Sequence, residues 1–193
     1  MRKVSHPTPR ESVRNAFGSR PTGALRFVLR LPVYAYGFGL GRVLGYRFLL
    51  LVHLGRRSGL LRETVLEVLR HDPAIRESVV LSGWGEEADW YRNILARPAL
   101  EIRTGGERYV PEQRFLAAEE NHDVISEYAG NHPLAFRFLI KAFGFGYPLD
   151  GTENERREFA GSLHLVAFRP KEGTKGRDLL GERTNANRQE VVG

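Results

Sequence analysis

The chain has 193 residues, 41% hydrophobic and 27% charged, which suits a single globular domain with a core of ordinary size. It contains no cysteine, which excludes disulfide bonds, thiolate metal sites, iron–sulfur clusters and cysteine nucleophiles. The net charge of +6 is uneven, because residues 1–62 carry twelve Arg and Lys against the single acid Glu11. This asymmetry favours one local anion-binding surface and argues against a nucleic-acid partner.

The N-terminal part has two predicted segments. Residues 1–23 are basic, contain three prolines and lack periodicity, which predicts a flexible arm. Residues 25–44 are apolar, but arginines interrupt them, and their longest uncharged stretch of eleven residues is too short to span a membrane. This segment either packs on the core or lies on a membrane surface. Because residues 1–20 lack a secretory signal pattern, we expect a cytoplasmic protein, with peripheral contact at the inner face of the membrane as the alternative.

The middle of the chain alternates strand patterns with glycine-containing turns. An apolar run and a β-branched run are joined by a turn with the sequence Gly55-Arg56-Arg57-Ser58-Gly59. A third strand ends at Gly83-Trp84-Gly85, and a short helix over 88–96 follows it and ends before Pro98. The predicted strands of this part are 46–54, 61–69, 78–82, 100–103 and 108–116.

The last part is predicted to be mostly helical. Helices are expected over 117–129 and 133–143, and a third begins at the capping box Thr152-Glu153-Asn154-Glu155. A final strand over 162–168 precedes a polar tail, 171–193, that we expect to be disordered. Five to six strands joined by hairpins, with peripheral helices, predict an α+β fold built on a mostly antiparallel barrel formed by residues 24–170.

The Arg-rich turn has the composition of an anion site. Its two glycines free the backbone to expose N–H groups, and Arg56 and Arg57 can form forked hydrogen bonds with phosphate or carboxylate. Ser58 offers a hydroxyl group, and Arg62 follows on the next strand. Solvated hairpin tips have similar compositions, so the turn alone fits either interpretation.

Two further segments are also ambiguous when each is taken alone. Ser82-Gly83-Trp84-Gly85 could bring bare backbone and an indole ring against a flat ligand, or it could be a hinge beside a core tryptophan. On the helix that follows, Trp90 and Asn93 share a face, where they could contact a ligand or anchor the helix to the core.

Together the three segments resemble the deazaflavin-dependent nitroreductase family. The patterns are L-x-x-x-G-R-R-S-G-x-x-R-x-T, then S-G-W-G, then D-W-Y-R-N-I-L-A-x-P, and the similarity runs from about residue 30 to 170. The resemblance implies a split β-barrel of the flavin-reductase-like superfamily. It also implies coenzyme F-420 (F420), a deazaflavin that carries a phosphate and a polyglutamate tail.

The resemblance also implies roles for individual residues. It places the phosphate and tail at the Arg-rich turn and the deazaflavin ring at the end of the third strand. The cofactor-binding residues that it implies are Arg56, Arg57, Ser58, Arg62, Thr64, Val65, Ser82, Gly83, Trp84, Gly85, Trp90, Tyr91, Asn93 and Ile94. The chain has Val65 where better-known members have proline, and its C-terminal aromatic residues match no family pattern. The resemblance therefore predicts coenzyme binding better than it predicts the substrate.

The activity that the resemblance implies is hydride transfer to a quinone, a nitroaromatic or an activated enone. Tyr128 and Tyr147 are the candidate proton donors, with water as the alternative. An FMN-dependent split-barrel reductase, and a non-catalytic carrier of deazaflavin, heme or lipid, are the competing interpretations. The six histidines have no recognisable ligand spacing, so no metal is expected, and the chain is expected to be a monomer or homodimer.

Overall fold

The computed structural model describes residues 45–148, 150–172 and 177–178. The helices in these ranges are α1 Asp89–Ala96, α2 Ala118–Asn131, α3 Pro133–Ala142 and α4 Glu153–Gly161. The strands are β1 Phe48–Leu54, β2 Leu61–Asp72, β3 Glu77–Leu81, β4 Glu101–Thr104, β5 Glu107–Tyr109, β6 Pro111–Phe115, β7 Leu165–Pro170 and β8 Arg177–Asp178.

All strand pairs are antiparallel, and the eight described strands form one sheet in the order β6-β7-β3-β2-β1-β4-β5-β8. The sheet curves into a nearly closed barrel, because β5 and β6 lie toward opposite ends of this order yet are consecutive in the chain, joined by Val110. The predicted antiparallel split barrel with peripheral helices is therefore confirmed.

The number of strands is higher than the predicted five to six. The predicted strand 108–116 is divided into β5 and β6, because the ladder changes partner there: Tyr109 pairs with Ile102, whereas Pro111 pairs with Pro170. Pro111 has no N–H group, so it cannot donate a hydrogen bond to continue the first ladder. The two-residue strand β8 adds a further element beyond the predicted domain.

Two hydrophobic clusters hold the elements together. Inside the barrel, Trp90, Tyr91 and Ile94 of α1 pack against apolar strand residues such as Leu51 and Phe168. On the outer side of the sheet, helices α2, α3 and α4 form a second cluster, to which Val124, Ile125, Tyr128, Phe136 and Phe159 contribute. The predicted capping box at α4 is present, since Thr152 N–H donates to Glu155 Oε2 at 2.6 Å and Glu155 N–H donates to Thr152 Oγ1 at 3.3 Å.

Several sequence predictions lie outside the described residues. These are the arm 1–23, the apolar segment 25–44 and most of the tail 171–193. Within the tail, Arg177 and Asp178 are described, and they pair with Arg108 and Glu107 of β5. None of the helices in the described part of the chain is long and apolar enough to cross a membrane.

Candidate functional site

A cavity of about 440 Å³ lies between the barrel wall and helix α3. Its lining is mostly apolar, and among the described residues that line it the charged ones are Arg47 and Glu67. Such a lining suits a flat organic ligand that a few polar groups orient. Five residues of the predicted site line the cavity: Thr64, Val65, Gly83, Trp84 and Trp90. The other lining residues are Arg47, Phe48, Leu66, Glu67, Leu69, Leu81, Ala135, Phe138, Leu139, Ala142 and Phe143.

The turn that follows β3 places Trp84 at the cavity. Ser82 Oγ donates to the carbonyl of Gly85 at 2.7 Å, and Gly85 N–H donates back to the carbonyl of Ser82 at 2.9 Å. Gly85 has a φ of +50°, a conformation that glycine adopts with little strain. Ser82 and Gly85 thus shape the turn but do not line the cavity, while half-buried Trp84 does.

The predicted Arg-rich turn joins β1 to β2 and is closed by hydrogen bonds among its own residues. Gly55 N–H donates to the carbonyl of Leu60 at 2.8 Å, Gly59 N–H to that of Gly55 at 2.7 Å, and Leu60 N–H to Ser58 Oγ at 3.3 Å. These amides are therefore already engaged, and the predicted backbone nest is only partly available to a ligand. The exposed side chains of Arg57 and Arg62 supply the cationic surface of this turn.

Arg56 differs from Arg57 because it is bonded to helix α1. Its backbone N–H donates to Asn93 Oδ1 at 2.9 Å, and its Nη1 donates to Asn93 Oδ1 at 3.2 Å and to Asp89 Oδ1 at 2.9 Å. The side chain of Asp89 is 81% exposed, so the ion pair itself is worth little. The bonds to buried Asn93 fix the turn against the start of the helix.

His53 connects this turn to the cavity wall. It is buried on β1, where its Nε2 lies 3.2 Å from Thr64 Oγ1 and its Nδ1 lies 3.1 Å from Asn93 Nδ2. The amide nitrogen of Asn93 can only donate, so His53 Nδ1 accepts and its Nε2–H donates to Thr64. Burial lowers the pKa of His53, in keeping with this neutral tautomer. The hydrogen bonds thus run continuously from Arg56 through Asn93 and His53 to Thr64, which lines the cavity.

Tyr91, Ile94 and Tyr147 pack in or against the hydrophobic clusters and not at the cavity. Tyr91 and Ile94 lie in the barrel core, and the ring of Tyr91 meets those of Phe115 and His164 edge-on, with centroids 5.5 Å away in each case. Tyr147 packs edge-on against the rings of Phe136 and Phe159 on the helical side, and burial raises its pKa. None of the three is among the residues that line the cavity in the described structure.

Tyr128 does not line the cavity itself, but it is hydrogen-bonded to Glu67, which does. Its side chain is 1% exposed, and its hydroxyl group donates to Glu67 Oε1 at 2.6 Å. Burial and the neighbouring carboxylate both raise the pKa of Tyr128. Glu67 itself lines the cavity, so a buried hydroxyl group orients an accessible carboxylate.

The sequence did not indicate the charged pair of the cavity or its helical wall. Arg47 Nη2 lies 3.2 Å from Glu67 Oε1, and α3 contributes lining residues such as Phe138 and Leu139. Strand alternation offered one signal, since Glu67 shares a strand face with buried Leu69 and an acidic residue on such a face is unusual. No local signal showed that α3 packs over this face, because that contact joins distant segments.

The barrel, the cationic turn and the apolar cavity are together typical of a reductase that takes its chemistry from a bound coenzyme. Residues 34–133 match the family model of F420H(2)-dependent quinone reductase, and the chain belongs to this family. Its cofactor is therefore coenzyme F420, and it is an F420H2-dependent reductase.

Comparison with curated protein sequences finds no match. Among solved structures, the chain resembles an F420-H2 dependent reductase, FDR-A, with 15% identity over 64% of this chain and 94% of that one, at a TM-score of 0.42. A pyridoxamine 5'-phosphate oxidase-related, FMN-binding protein from Nostoc punctiforme has 14% identity over 86% and 88%, with a TM-score of 0.40. HutZ, the heme storage protein from Vibrio cholerae, has 10% identity over 72% and 92%, with a TM-score of 0.40. Likeness at this level says nothing about the ligand of this chain.

The side chains of the site fit the coenzyme of the family. Arg57 and Arg62 are exposed cations that suit phosphate and carboxylate groups. Trp84 and Trp90 line an apolar cavity of a size that suits a flat ring. When bound, the reduced deazaflavin supplies a hydride, and the protein supplies orientation and electrostatics.

Proposed function

We propose that this protein reduces a flat, electron-poor small molecule with the hydride of F420H2, and that a quinone is its main acceptor. Nitroaromatics and activated enones share the same electron-poor character and are further candidate acceptors. The observation that carries the proposal is the apolar cavity between Trp84 and helix α3, which joins the cationic turn through the hydrogen bonds of His53. A neutral aromatic acceptor suits such a lining better than a sugar or a peptide does.

Within this proposal the coenzyme lies along β1 and β2. Arg57, Ser58 and Arg62 contact its phosphate and tail, and Arg56 holds the turn in place through Asn93. Thr64 and Val65 flank the ring, which also contacts the Gly83–Trp84 segment and Trp90. The support for this placement is the exposure of the cations at one end and the apolar lining at the other.

The residues of this chain perform three tasks in the proposed mechanism. The apolar walls exclude water from the reacting atoms, which protects the hydride and strengthens the electrostatic interactions inside the cavity. Trp84 and the residues of α3 hold the acceptor flat against the coenzyme ring, as required for productive proximity. Tyr128 orients Glu67, and we assign the second proton of the product to water at the cavity mouth, because the hydroxyl proton of Tyr128 is already bonded to Glu67.

A pair of titrations and one kinetic assay test this function. The purified protein is mixed with F420 and, separately, with FMN, and binding is followed by the absorbance of each coenzyme. Oxidation of F420H2 by menadione is then followed by the return of the visible absorbance of F420. We expect F420 to bind more tightly than FMN and menadione to be reduced. Tight binding of F420 without reduction of any quinone, enone or nitroaromatic would instead establish a carrier.

Single substitutions in the turn test the coenzyme placement. Arg57→Ala should weaken F420 binding about 10- to 100-fold without changing stability, because it removes charge-assisted hydrogen bonds from an exposed side chain. Arg56→Ala should weaken binding and also destabilise the fold by roughly 1–2 kcal/mol, because it removes one of the two bonds that fix the turn to Asn93. Arg137→Ala on α3 is the matched control, since it removes an exposed cation elsewhere. Equal, small losses of affinity in all three variants would place the phosphate site elsewhere.

A further inference from the structure

The cavity has a polar corner that the coenzyme placement leaves unexplained. Arg47 and Glu67 are the charged groups among its described lining residues, and they pair with each other at 3.2 Å. The side chain of Arg47 is 46% exposed and that of Glu67 is 26% exposed, so both are accessible from the cavity. Arg47 keeps access to solvent, whereas Glu67 is a partly buried acid in an otherwise apolar wall, where a charged group needs hydrogen-bond or ion-pair partners.

The acid of the pair is held from behind by a buried hydroxyl group. Tyr128 is buried and donates its hydroxyl proton to the same oxygen of Glu67 that Arg47 contacts, at 2.6 Å. Glu67 Oε1 therefore accepts hydrogen bonds from both groups, which fix the position of this side chain. An arginine has five N–H donors, and the contact with Glu67 involves only Nη2 of this guanidinium group. Arg47 lines the cavity and so brings N–H donors, beyond the one bonded to Glu67, to a ligand that lies there.

The corner lies far from the cationic turn. Arg47 immediately precedes β1 and the Arg-rich turn follows it, so the seven residues of extended strand separate the two by roughly 23 Å. The standing negative charges of F420 are matched by Arg57 and Arg62 at the far end. The Arg47–Glu67 pair has no net charge, so it does not attract a standing anion. It suits a neutral ligand that becomes negative only during the reaction.

We propose that Arg47 is a catalytic residue that binds a carbonyl oxygen of the acceptor and stabilises the negative charge formed there. This inference rests on the proposed function. For a quinone, hydride addition brings two electrons and one proton and leaves a singly protonated anion. A proton from water then completes the hydroquinone, and the coenzyme, having given up its hydride, releases one proton to solvent as it becomes F420, so that F420H2 and quinone give F420 and hydroquinone overall. Glu67 and Tyr128 are positioning residues, because they act on the acceptor through Arg47. The substrate class that this corner selects is therefore a neutral aromatic with a carbonyl oxygen at its edge.

The central test separates acceptor reduction from coenzyme binding. Arg47→Gln should lower kcat with menadione about 10- to 100-fold, as expected when one donor to a developing oxyanion is lost. The Kd for F420 should stay within about twofold of the parent value, because the phosphate contacts are at the other end of β1. Arg47→Lys should restore part of kcat, since it returns the positive charge without the forked geometry. Arg137→Gln, which removes an exposed cation from outside the cavity lining, should match the parent protein.

Variants of the supporting residues extend the test. Tyr128→Phe keeps the buried ring and removes only the hydroxyl group, so it should lower kcat by a smaller factor than Arg47→Gln does. In a background that already carries Arg47→Gln, Tyr128→Phe should have no further effect on kcat, because its action depends on the arginine. Additive losses in the double variant would show that Tyr128 acts independently, for example as a direct proton donor, and would overturn the positioning role.

Two outcomes overturn the inference about Arg47. One is an unchanged kcat in Arg47→Gln, and the other is a parallel rise in the Kd for F420, which would assign the cation to the coenzyme. If the parent protein binds F420 but does not reduce menadione, the proposed quinone reduction itself fails. Because that result is measured on the parent protein alone, a failure of the proposed quinone reduction can be distinguished from a failure of the role proposed for Arg47.

Discussion

His53 shows how one buried side chain ties the cationic turn to the cavity. The ring accepts from Asn93 through Nδ1 and donates to Thr64 through Nε2, so both nitrogens are engaged when the ring is neutral. Protonation would add a hydrogen to Nδ1, where it would face the donor hydrogens of the Asn93 amide. Asn93 would have to rotate, and its oxygen would then leave the backbone N–H of Arg56. The charge state of His53 is therefore coupled to the shape of the turn.

This coupling predicts how stability depends on pH. Because burial lowers the pKa of His53 in the folded protein, the unfolded chain binds more protons between the folded and unfolded pKa values. The contribution of neutral His53 to the free energy of unfolding is therefore fully present above about pH 6.5, the pKa of a histidine in the unfolded chain. This contribution decreases as the pH falls below that value. Urea unfolding at pH 7.5 and 5.5 should show a smaller pH-dependent loss in His53→Gln than in the parent protein. His71, whose pKa burial also lowers, is common to both proteins and cancels in the difference. Equal losses in the two proteins would show that His53 titrates normally.

At this scale the sequence predicted residue types but not their partners. Glycines and arginines at 55–59 predict an anion-binding turn, because the residue types at five consecutive positions are enough to suggest one. Arg56 is bonded to Asn93, whereas Arg57 is exposed, and this difference depends on how α1 packs against the β1–β2 hairpin. His53 was not predicted to belong to the site, since a single histidine in an apolar strand has the pattern of a core residue.

Among the elements, the segment after β3 and the end of α3 approach each other closely beside the cavity. A Cβ atom built on Gly83 would lie 2.1 Å from Cε1 of Phe143, which is far inside contact distance. The ring of Phe143 also meets that of Trp84 edge-on, with centroids 4.9 Å apart. The glycine at this position therefore lets a helix-end aromatic ring approach the strand backbone. From the sequence, bare backbone against a flat ligand and a hinge were the two interpretations of this segment; the approach of Phe143 is a further reason for the glycine that the sequence did not indicate.

Substituting Gly83 should reveal this contact. Gly83→Ala should destabilise the fold by about 1–3 kcal/mol, because the methyl group must displace the ring of Phe143. The same substitution in a Phe143→Ala background should cost much less, and the difference measured by urea unfolding gives the coupling energy. Gly130→Ala is the matched control, since a Cβ there meets nothing within 4 Å and alanine favours the helix. Equal costs of Gly83→Ala in both backgrounds would rule out Phe143 as the obstacle.

Elements were predicted well where their pattern is local. The helices and most strands begin and end within a few residues of the predicted bounds, because apolar spacing and caps mark them. The division of 108–116 into β5 and β6 was missed, since it depends on which strands lie beside this segment once the barrel closes. The position of α3 across the cavity from β2 was missed for the same reason, and with it the second wall of the cavity.

At the scale of the whole molecule, charge distribution governs how the two substrates arrive. The net charge is +6, and the basic excess lies in residues 1–62, which include the Arg-rich turn. A polyanionic coenzyme should therefore bind more weakly as salt screens this surface, whereas a neutral quinone should be indifferent to it.

Salt dependence tests this difference directly. Raising NaCl from about 50 mM to 500 mM should raise the Kd for F420 on the order of tenfold, and the KM for menadione at saturating coenzyme should hardly change. Arg57→Ala should show a shallower dependence of Kd on salt, because it lacks one of the cations being screened. A Kd that is independent of salt would mean that the coenzyme is held without its phosphate and tail.

The two walls of the cavity come from different parts of the chain, one inside and one beyond the region that matches the family model. The barrel wall, with the turn and α1, lies within residues 34–133, which match the family model, while the lining residues of α3 begin at Ala135, just beyond that match. Phe138 and Ala142 line the cavity from this helix, whereas the proposed coenzyme contacts are on the strands, the turn and α1. If the acceptor lies against α3 as proposed, substitutions confined to this one helix should change which acceptor is reduced and leave the binding of F420 unchanged.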